Sequence, residues 1–537
     1  MRTKLSNFIF VVFLSAFLIN CANRGRPQGG EKDTEPPKVV KSVPKNYSTN
    51  FKTKEIKIYF DEYIKLKNLQ KQLIVSPPMK TQPEVLPLGS ASKFITIKIF
   101  DTLQSNTTYA FNFGQSVVDN NEENAYPFFK YVFSTGDYID SLTVKGSIFD
   151  AEKLKPEEYV SVMLYEIDSA YTDSVVYKNN PKYITNTLDS VTTYTIENIK
   201  AGTYKLIALK DENQNNTFQQ KSDKIAFLEE PITVPKDTVY NLTLFKEKID
   251  FKVTRGSQMS GNKIAFGFEG NVNNMKAELL DTIPENFKFR MIKDQKADTL
   301  YYWFTPKILK DSIVFNIVNK DFNYSKDSLV VKMRDMKNDT LVTNILPKGT
   351  IGFKNPLEVS TTTPLEKLER SQIIFLDKDS LQVDFTYTMD SLNNKYNIEF
   401  KKEEDQRYAI QFLPGAITDI FENTNDTINF GLRTKMYSDY GNVRVTLQNA
   451  KYPVILQLTD EKGEVFAEKT SKTPEPIDFI FLEPKKYYLR VIFDSNGNEK
   501  WDSGSFLKQR QPERISYFPE LLDVRAGWDL VQTFILE

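Results

Sequence analysis

Residues 56–61 read Ile-Lys-Ile-Tyr-Phe-Asp, and this alternation decides the fold class. Successive side chains of a β-strand point to opposite faces, so Ile56, Ile58 and Phe60 are predicted to face a core. The same period recurs along the chain. Further examples are residues 109–113, 142–148, 381–385 and 443–447. The sequence therefore predicts many half-buried strands.

Clusters of Asn, Asp, Gly, Pro and Ser separate the alternating segments, as at residues 119–121 and 423–425. Asn and Asp side chains bond their own backbone and tolerate left-handed conformations, so these clusters are predicted to be turns. Short strands at this spacing favour β-sandwiches over parallel α/β architectures. The predicted fold class is all-β.

The composition excludes several classes of function. The 537 residues contain no histidine and one cysteine, which excludes Ser-His-Asp and Cys-His catalysis, HExxH zinc sites and His-ligated haem. Lys and Arg number 70 against 71 Asp and Glu, so no basic excess predicts a nucleic-acid partner. A hydrolase would depend on a facing pair of carboxylates, and no pair stands out among the 71 acids. The chain is predicted not to be an enzyme.

The N-terminus has the pattern of an export signal. Arg2 and Lys4 precede an apolar run over residues 8–19, which is too short to cross a bilayer as a helix, and Cys21 follows. This resembles a bacterial lipoprotein signal peptide. The resemblance implies cleavage after residue 20, acylation of Cys21 by chains such as palmitate, and anchoring in a membrane leaflet. The alternative is an ordinary secretory signal with an incidental cysteine.

Two segments of the chain repeat one motif. Residues 202–218 read GTYKLIALKDENQNNTF, and residues 487–501 read YYLRVIFDSNGNEKW. In both, the aspartate lies seven positions after the tyrosine, and an aromatic residue lies seven positions after the aspartate. The preceding segments, 109–138 and 408–440, share a second pattern of aromatic and acidic residues. A repeat of this kind predicts two copies of a two-domain module.

The first copy of the module carries a resemblance to a known family. Its residues are Pro36-Pro37-x-Val39, Ile58-x-Phe60-Asp61-Glu62, Asn106-Thr-Thr-Tyr109 and Phe133-Ser134-Thr135-Gly136. They look like a bacterial Ig-like domain of the kind found in Bacteroidota outer-membrane lipoproteins. The segments with the Asp-x-Asn-x-Asn motif resemble transthyretin-like or carboxypeptidase-regulatory-like sandwiches. The resemblance implies tandem sandwich domains that are mostly non-catalytic.

The layout that follows from the repeat and the resemblance has seven parts. They are a lipoprotein signal peptide (1–20), a flexible tether (21–37), an Ig-like domain (38–138), a transthyretin-like sandwich (139–247), a β-rich domain (248–345), a second Ig-like domain (346–437) and a second transthyretin-like sandwich (438–537).

The two Asp-x-Asn-x-Asn loops are the sharpest candidate sites. Oxygen side chains at positions 1, 3 and 5 of a tight loop can surround a hard cation such as calcium. The candidate ligands are Asp494, Asn496, Asn498 and Asp502 in one loop and Asp211, Asn213 and Asn215 in the other. Neither loop ends in the bidentate glutamate of an EF-hand, since position 12 is serine. The alternative is a cluster of Asx-turns with no ion, and no other cofactor is predicted.

Three further features have a functional and a structural interpretation. Trp303, Trp501 and Trp528 could stack on sugars, but buried anchors of sandwich cores are expected. The basic stretch 508–514 could touch lipid phosphates, and the acidic loop 119–123 could hold an ion or attract a basic partner. Solvated loops are the expectation for both.

The function predicted is that of a non-enzymatic outer-membrane lipoprotein. It would be an extended string of sandwiches that scaffolds an envelope complex, with the membrane and an integral outer-membrane protein as partners. The resemblance suggests machinery for outer-membrane protein assembly or export. Alternatives are a glycan- or nutrient-binding surface lipoprotein and a carboxylate-based hydrolase. The residues after Cys21 lack the acids of family export signals, which leaves the periplasmic or surface face open.

Overall fold

The computed structural model describes residues 32–188 and 192–536, and nearly every regular element in them is a β-strand. The all-β prediction is confirmed. The signal peptide and Cys21 lie outside the described residues. In the described ranges, no helix has both the length and the apolar character needed to cross a membrane.

The chain forms two compact units. One holds the residues up to Leu142 together with Glu197–Lys200, and the other holds Thr143–Ile196 and the chain from Ala201 onward. The small sheets form five groups, and each group of two or three sheets is here called a sandwich, numbered first to fifth along the chain.

The first sandwich packs two antiparallel sheets on an aromatic core. Its elements are β1 (Val39–Val43), β2 (Glu55–Leu66), the one-turn helix α1 (Leu69–Gln72), β3 (Ile74–Ser76), β4 (Glu84–Leu86), β5 (Ser92–Lys98), β6 (Thr108–Asn112), β7 (Val117–Asp119) and β8 (Lys130–Ser134). One sheet has the order β1-β2-β5-β4, with β7 also pairing with β2, and the other is β3-β6-β8. Ile56, Ile58 and Phe60 lie in the core, as the alternation predicts.

The second sandwich contains the first Asp-x-Asn-x-Asn motif. Its strands are β9 (Leu142–Asp150), β10 (Ser161–Glu166), β11 (Tyr183–Asn186), β12 (Thr193–Ile199), β13 (Gly202–Lys210), β14 (Lys224–Phe227), β15 (Ile232–Val234) and β16 (Leu242–Leu244), with a 3-10 helix at Asp173–Tyr177. The sheets are β11-β10-β13-β14, with β15 beside β13, and β12-β9-β16. β16 pairs with β9 in parallel.

The third and fourth sandwiches follow. The third has β17 (Lys252–Ser260), β18 (Lys263–Glu269), β19 (Met275–Leu279), β20 (Lys288–Lys293), β21 (Thr299–Thr305), β22 (Ser312–Asn319) and β23 (Tyr324–Lys332), with a 3-10 helix at Lys320–Phe322. The fourth has β24 (Thr343–Leu346), β25 (Gly349–Thr350), β26 (Leu357–Thr361), β27 (Leu365–Leu368), β28 (Ile373–Leu376), β29 (Phe385–Asp390), β30 (Lys395–Phe400), β31 (Arg407–Phe412), β32 (Ile417–Asp419) and β33 (Ile428–Arg433), with a 3-10 helix at Arg370–Gln372.

The fifth sandwich has the strand order of the second. Its strands are β34 (Gly441–Gln448), β35 (Val454–Thr459), β36 (Val465–Ser471), β37 (Ile477–Leu482), β38 (Lys485–Phe493), β39 (Ile515–Tyr517), β40 (Leu522–Val524) and β41 (Asp529–Ile535), with a 3-10 helix at Tyr437–Asp439. One sheet is β36-β35-β38-β39, with β40 beside β38, and the other is β37-β34-β41. β41 pairs with β34 in parallel, as β16 does with β9.

The first and fourth sandwiches share a tyrosine contact. The hydroxyl of Tyr109 accepts a hydrogen bond from the backbone N–H of Gln104 at 2.9 Å. The hydroxyl of Tyr408 accepts one from the N–H of Glu403 at 3.0 Å, over the same spacing of five residues. Such a corner ties a strand to the loop before it. The aromatic residues shared by the two segments thus hold equivalent turns.

The acidic loop 119–123 is organised around one buried carboxylate. Asp119 is 1% exposed and accepts hydrogen bonds from the backbone N–H groups of residues 121–124, at 2.7 to 3.2 Å. Burial alone would raise the pKa of Asp119, but these donors lower it below its ordinary value. In the fourth sandwich, Asp419 is buried to the same extent and accepts from the N–H groups of Phe421 and Asn423. The aspartate in each loop therefore fixes a turn.

One predicted strand begins later than the alternation indicates. The run at residues 381–385 is predicted to be a strand, but β29 begins at Phe385. Leu381 is 64% exposed, and its N–H donates to the carboxylate of Asp377 in a turn. An aspartate that captures the backbone N–H groups here overrides the local strand pattern.

Candidate functional site

The fifth sandwich packs against the second, and this contact, here called the repeat junction, is the best-formed candidate site. A hairpin of the fifth sandwich, residues 503–511, supplies much of the junction. Its ends are joined by two backbone hydrogen bonds between Ser505 and Arg510, at 2.7 and 2.9 Å. The junction joins residues that lie about 340 positions apart, such as Glu152 and Arg490.

Phe506 is the apolar anchor of the junction. Its side chain is fully buried, and its ring meets that of Phe227 edge-on at 5.2 Å between centroids. Its backbone N–H donates to the carboxylate of Glu247. Gly504 allows this approach, because a Cβ there would lie 2.6 Å from the ring of Phe245. The hairpin therefore inserts its ring between side chains of the second sandwich.

Gln509 adds polar contacts beside this anchor. Its side-chain oxygen accepts from the ammonium of Lys205 at 3.0 Å, and its nitrogen donates to the carboxylate of Asp173 at 3.2 Å. Burial lowers the pKa of Lys205. Gln511 donates to the carbonyl of Phe227 at 3.0 Å. The expectation of a solvated loop over residues 508–514 is therefore wrong for the glutamines, because they bond to the second sandwich.

Arg490 forms a second contact across the repeat junction. It is 8% exposed, and its Nε donates to the side chain of Gln457 at 2.7 Å. Its Nη1 donates to the backbone carbonyl of Glu152 at 2.7 Å and to the Tyr517 hydroxyl at 3.1 Å. Tyr517 also donates to the Glu152 carbonyl. Burial raises the pKa of the Glu152 carboxyl. One guanidinium thus holds two strands of its own sheet and a turn of the second sandwich.

The loop that contains Asp494 lies next to this junction and is closed by backbone donors. Asp494 is 1% exposed, and its two oxygens accept from the N–H groups of Asn498 at 3.1 Å and Glu499 at 2.9 Å. Asn496 accepts from the N–H of Asn498 at 3.0 Å. These are the contacts of consecutive Asx-turns.

The carboxylate of Asp502 faces an ammonium group. Lys248 Nζ lies 2.6 Å from one oxygen, and the amide nitrogens of Asn496 and Asn498 donate to the other at 2.6 and 2.7 Å. The Lys248 ammonium, with the two amides, lowers the pKa of Asp502 to about 2 despite partial burial. The structure thus brings both asparagines to one oxygen of Asp502 and Lys248 to the other.

The equivalent loop of the second sandwich is closed in the same manner. Asp211 accepts from the N–H groups of Asn213 at 3.1 Å and Asn216 at 2.7 Å, and burial raises the pKa of Asp211. The side-chain oxygen of Asn215 accepts from the N–H and the hydroxyl of Thr217. The three candidate ligands of this loop each bond to the loop itself.

Calcium at these loops stays a prediction. The oxygens that would hold the ion are engaged by N–H groups and, at Asp502, by the Lys248 ammonium, so binding at that loop requires Lys248 to leave. In the described ranges, no three Asp, Glu, His or Cys side chains are grouped to hold a metal ion. Calorimetric titration with calcium chloride tests the prediction.

The Asp502–Lys248 pair predicts a dependence of stability on pH. The pKa of Asp502 is about 2 in the folded protein against 3.8 for an ordinary aspartate, so the pair stabilises the fold above 3.8 and loses that effect as pH falls towards 2. We expect Asp502→Asn to lower the melting temperature at neutral pH, and the difference from the wild type to vanish near pH 2. Thermal unfolding followed by tryptophan fluorescence measures it.

Asp237→Asn provides the control for this prediction. The Asp237 side chain is fully exposed and lies 3.9 Å from Lys145. Exposed ion pairs contribute little, so this change is expected to leave the melting temperature nearly unaltered. A wild-type advantage over Asp502→Asn that persists unchanged at pH 2 would contradict the assignment.

The three tryptophans do not behave alike. Trp303 is 2% exposed, as expected for a core anchor. Trp501 is half-buried, and its indole N–H donates to the carbonyl of Glu513 at 2.9 Å. Trp528 is 57% exposed, so the expectation of a buried anchor is wrong there. It lies directly before β41, and the guanidinium of Arg525 is 5.0 Å from the centroid of its ring.

The sandwiches of the larger unit contact one another in a closed circuit. Contacts outside the repeat junction are Lys221–Glu269 (2.7 Å, second to third), Gln295–Asn393 (2.8 Å, third to fourth) and Lys435–Glu483 (2.7 Å, fourth to fifth). The expectation of an extended string is wrong for this unit, because the fifth sandwich returns to the second.

The sequence pattern missed the repeat junction. Phe506 and Gly504 are local signals of a buried contact there, but the neighbouring Leu507 is just as apolar and is 60% exposed, so apolar character alone does not identify the anchor. Neither Phe506 nor Gly504 is part of an alternating strand pattern, which is the basis of the other predictions. The surface that they contact lies hundreds of residues away in the sequence.

Comparison with known families and structures gives one match to a family. Residues 33–135 match the model described as the bacterial Ig-like domain. None of the curated proteins matches the chain.

Several solved structures are similar over long stretches. A fragment of the S-layer protein SbsC is 10% identical, with 91% of this chain and 67% of that chain covered and a TM-score of 0.15. SGBP-B of the Bacteroides ovatus mixed-linkage glucan utilization locus is 11% identical, with 71% and 95% covered and a TM-score of 0.17. The Escherichia coli adhesin FdeC is 9% identical, with 62% and 93% covered and a TM-score of 0.15. At these values the likenesses carry no argument about function.

Proposed function

Residues 33–135 form a bacterial Ig-like domain, as the resemblance predicts, and on this premise we propose that the protein is a non-enzymatic scaffold or interaction subunit of an envelope complex. The observation that carries the proposal is the repeat junction. There, Phe506 and Arg490 are buried to hold one sandwich against another. Such contacts favour a platform that keeps its surfaces in fixed relation within the larger unit.

In this proposal the protein is anchored in the outer membrane. Cys21 would carry the acyl chains, and two or more chains bind a bilayer far more firmly than one. The tether over residues 21–37 would keep the sandwiches at high effective concentration near membrane partners.

Ionisable groups at the repeat junction support a structural role over a catalytic one. Lys224, whose side chain is 17% exposed, pairs with Asp150 at 2.6 Å and Glu157 at 3.1 Å. Glu247 accepts from the backbone of the Phe506 hairpin, and Lys205 bonds Gln509. These groups hold strands and sandwiches together, and a stabilising role of this kind is expected in a scaffold.

Affinity purification of the tagged protein in mild detergent from its own membranes tests the proposal. We expect an integral outer-membrane protein to be recovered in stoichiometric amount and identified by mass spectrometry. A component of outer-membrane protein assembly or export machinery would match the specific version that the family resemblance suggests. A tagged, unrelated lipoprotein from the same membranes provides the control for detergent carry-over.

Recovery of the protein alone, where other envelope complexes survive, would contradict the scaffold proposal. It would favour the second candidate, a glycan- or nutrient-binding surface lipoprotein. The observation that supports this candidate is an aromatic pair on the outer face of the first sandwich. Tyr59 and Phe94 have ring centroids 5.7 Å apart, and Lys41 lies 5.0 Å from the centroid of the Tyr59 ring. Glycan screening of the wild type and of Phe94→Ser then tests whether this aromatic pair binds a sugar.

A further inference from the structure

The last strand of the fifth sandwich, β41, has one open edge. It ends the sheet order β37-β34-β41, and among residues 32–188 and 192–536 its one partner strand is β34. At its start, the carbonyl of Trp528 accepts from the N–H of Asn442 at 2.9 Å. At its end, the N–H of Leu536 donates to the carbonyl of Gln448 at 3.0 Å. Positions 528 and 536 therefore both face β34.

The direction of the remaining backbone groups follows from strand alternation. Successive residues direct their N–H and C=O groups to opposite edges, so the even-numbered residues of β41 bond β34. Val531, Thr533 and Ile535 then direct their N–H and C=O groups away from the sheet. These three donor–acceptor pairs recur at every second residue, which is the spacing that another strand matches.

The open edge lacks the usual protection against strand pairing. Natural sheets guard their edges with charges, proline, bulges or very short strands. The one charged residue of β41 is Asp529 at its start, and its carboxylate accepts from the side-chain amide of Asn442 on β34 at 2.7 Å. Residues 530–535 read Leu-Val-Gln-Thr-Phe-Ile, without charge, proline or glycine, and the register with β34 runs without a shift from 442 to 448. In contrast, the edge strand β36 carries Glu468 and Lys469 and a register shift.

The side chains of β41 also suit a strand partner. Val531 and Ile535 are 66% and 60% exposed on the outer face, while Phe534 on the other face is 3% exposed. β-branched side chains that flank an open edge favour cross-strand apolar pairs with an incoming strand. A charged segment would find no partner charge among residues 530–535.

The equivalent edge of the second sandwich is shorter and closes within the chain. β16 spans three residues, Leu242–Leu244. Directly after it, Phe245 exchanges two backbone hydrogen bonds with Ile225, at 2.9 and 3.0 Å. The two copies share a strand order but differ at this edge, because only the fifth sandwich extends it to seven residues.

We propose that the open edge of β41 binds an extended, uncharged segment of a partner protein, which adds to the sheet as a further strand. The proposal rests on the proposed function as an interaction subunit and deepens it by naming the docking element. The alternating N–H and C=O groups identify polypeptide backbone as the occupant, since neither a bilayer nor a sugar repeats that pattern. Main-chain hydrogen bonds provide affinity in this mode of recognition, and alternate side chains provide specificity.

Site-directed crosslinking in the native organism tests the proposal. The full chain carries a photoreactive benzoylphenylalanine in place of Val531, and the crosslinked product is mapped by mass spectrometry. We expect one adduct within an uncharged segment of another protein. Thr533→Pro in the same chain should lower the yield about tenfold or more, because proline removes the outward N–H and clashes with an incoming strand.

Thr533→Ala is the matched control, since it keeps the outward N–H and should keep the adduct. The Thr533 N–H points away from β34, so neither substitution removes a bond of the sheet, and equal melting temperatures of the two variants verify this. An adduct between two copies of this chain would overturn the proposal in favour of self-association. Absence of an adduct, or an adduct that Thr533→Pro leaves unchanged, would also overturn it. If a stoichiometric partner still co-purifies, the scaffold function stands and only the β41 assignment fails.

Discussion

Phe506→Ala is expected to release the fifth sandwich from the second. The ring is fully buried against Phe227 at the repeat junction, and loss of a buried phenylalanine side chain costs about 3–5 kcal/mol. Because each 1.4 kcal/mol is a factor of ten, hydrogen exchange of the hairpin over residues 503–511 should accelerate by roughly a hundredfold or more. Hydrogen-exchange mass spectrometry measures the effect, and the strands of the fifth sandwich should keep most of their protection.

Phe466→Ala is the control for this prediction, because Phe466 belongs to the same sandwich but is 43% exposed. It is expected to leave exchange at residues 503–511 unchanged. Equal exchange of the hairpin in the wild type and in Phe506→Ala would show that the anchor contributes nothing to docking.

Arg490→Met is expected to weaken the same junction from its other side. Methionine keeps much of the length and apolar volume of the side chain but removes the donors to Gln457, Tyr517 and the Glu152 carbonyl. Hydrogen bonds that involve a charged group contribute about 1.5–3 kcal/mol each, so a loss of roughly 4.5 kcal/mol or more is expected for the three. Exchange should rise at the turn that contains Glu152 as well as at the hairpin.

Arg444→Met tests whether the effect belongs to the junction. Arg444 forms a two-pronged pair with Asp478 at 2.6 and 2.7 Å, but both side chains are exposed, so its loss is expected to change stability little. If Arg490→Met changes stability no more than Arg444→Met does, the Arg490 guanidinium does not stabilise the repeat junction. A double variant of Phe506 and Arg490 should show a non-additive cost, because both side chains hold one docking equilibrium.

The junction gives the proposed scaffold a physical basis. A string of sandwiches joined only by linkers would let its partner surfaces move independently, whereas buried contacts within the larger unit hold them in place. β41 belongs to the fifth sandwich, which the repeat junction holds against the second. The proposed docking edge and the internal contact are therefore parts of the same sandwich.

Local patterns allowed much of the fold to be predicted. The alternation at Ile56, Ile58 and Phe60 indicates which side chains enter the core, because a strand assigns successive residues to opposite faces whatever surrounds it. The motif shared by residues 202–218 and 487–501 occurs in two sandwiches of equal strand order, since equal spacing of tyrosine, aspartate and aromatic residues closes equal turns.

Contacts between distant residues are where local patterns failed. The calcium prediction at Asp502 stays untested, but the local pattern did not indicate the ion pair with Lys248, whose position depends on how the second and fifth sandwiches pack. Trp528 is predicted to be a buried anchor, yet its side chain is 57% exposed.

By itself the sequence determined an all-β chain, its turns and its repeated motif, because side-chain alternation and Asx-turns act over a few residues. Only the tertiary structure decided that Phe506 is buried, that Arg490 bonds the turn at Glu152, and that β41 keeps an open edge. Those outcomes depend on which surfaces pack together once hundreds of intervening residues have folded. The periodic pattern of side chains along the sequence contains no information about such long-range contacts.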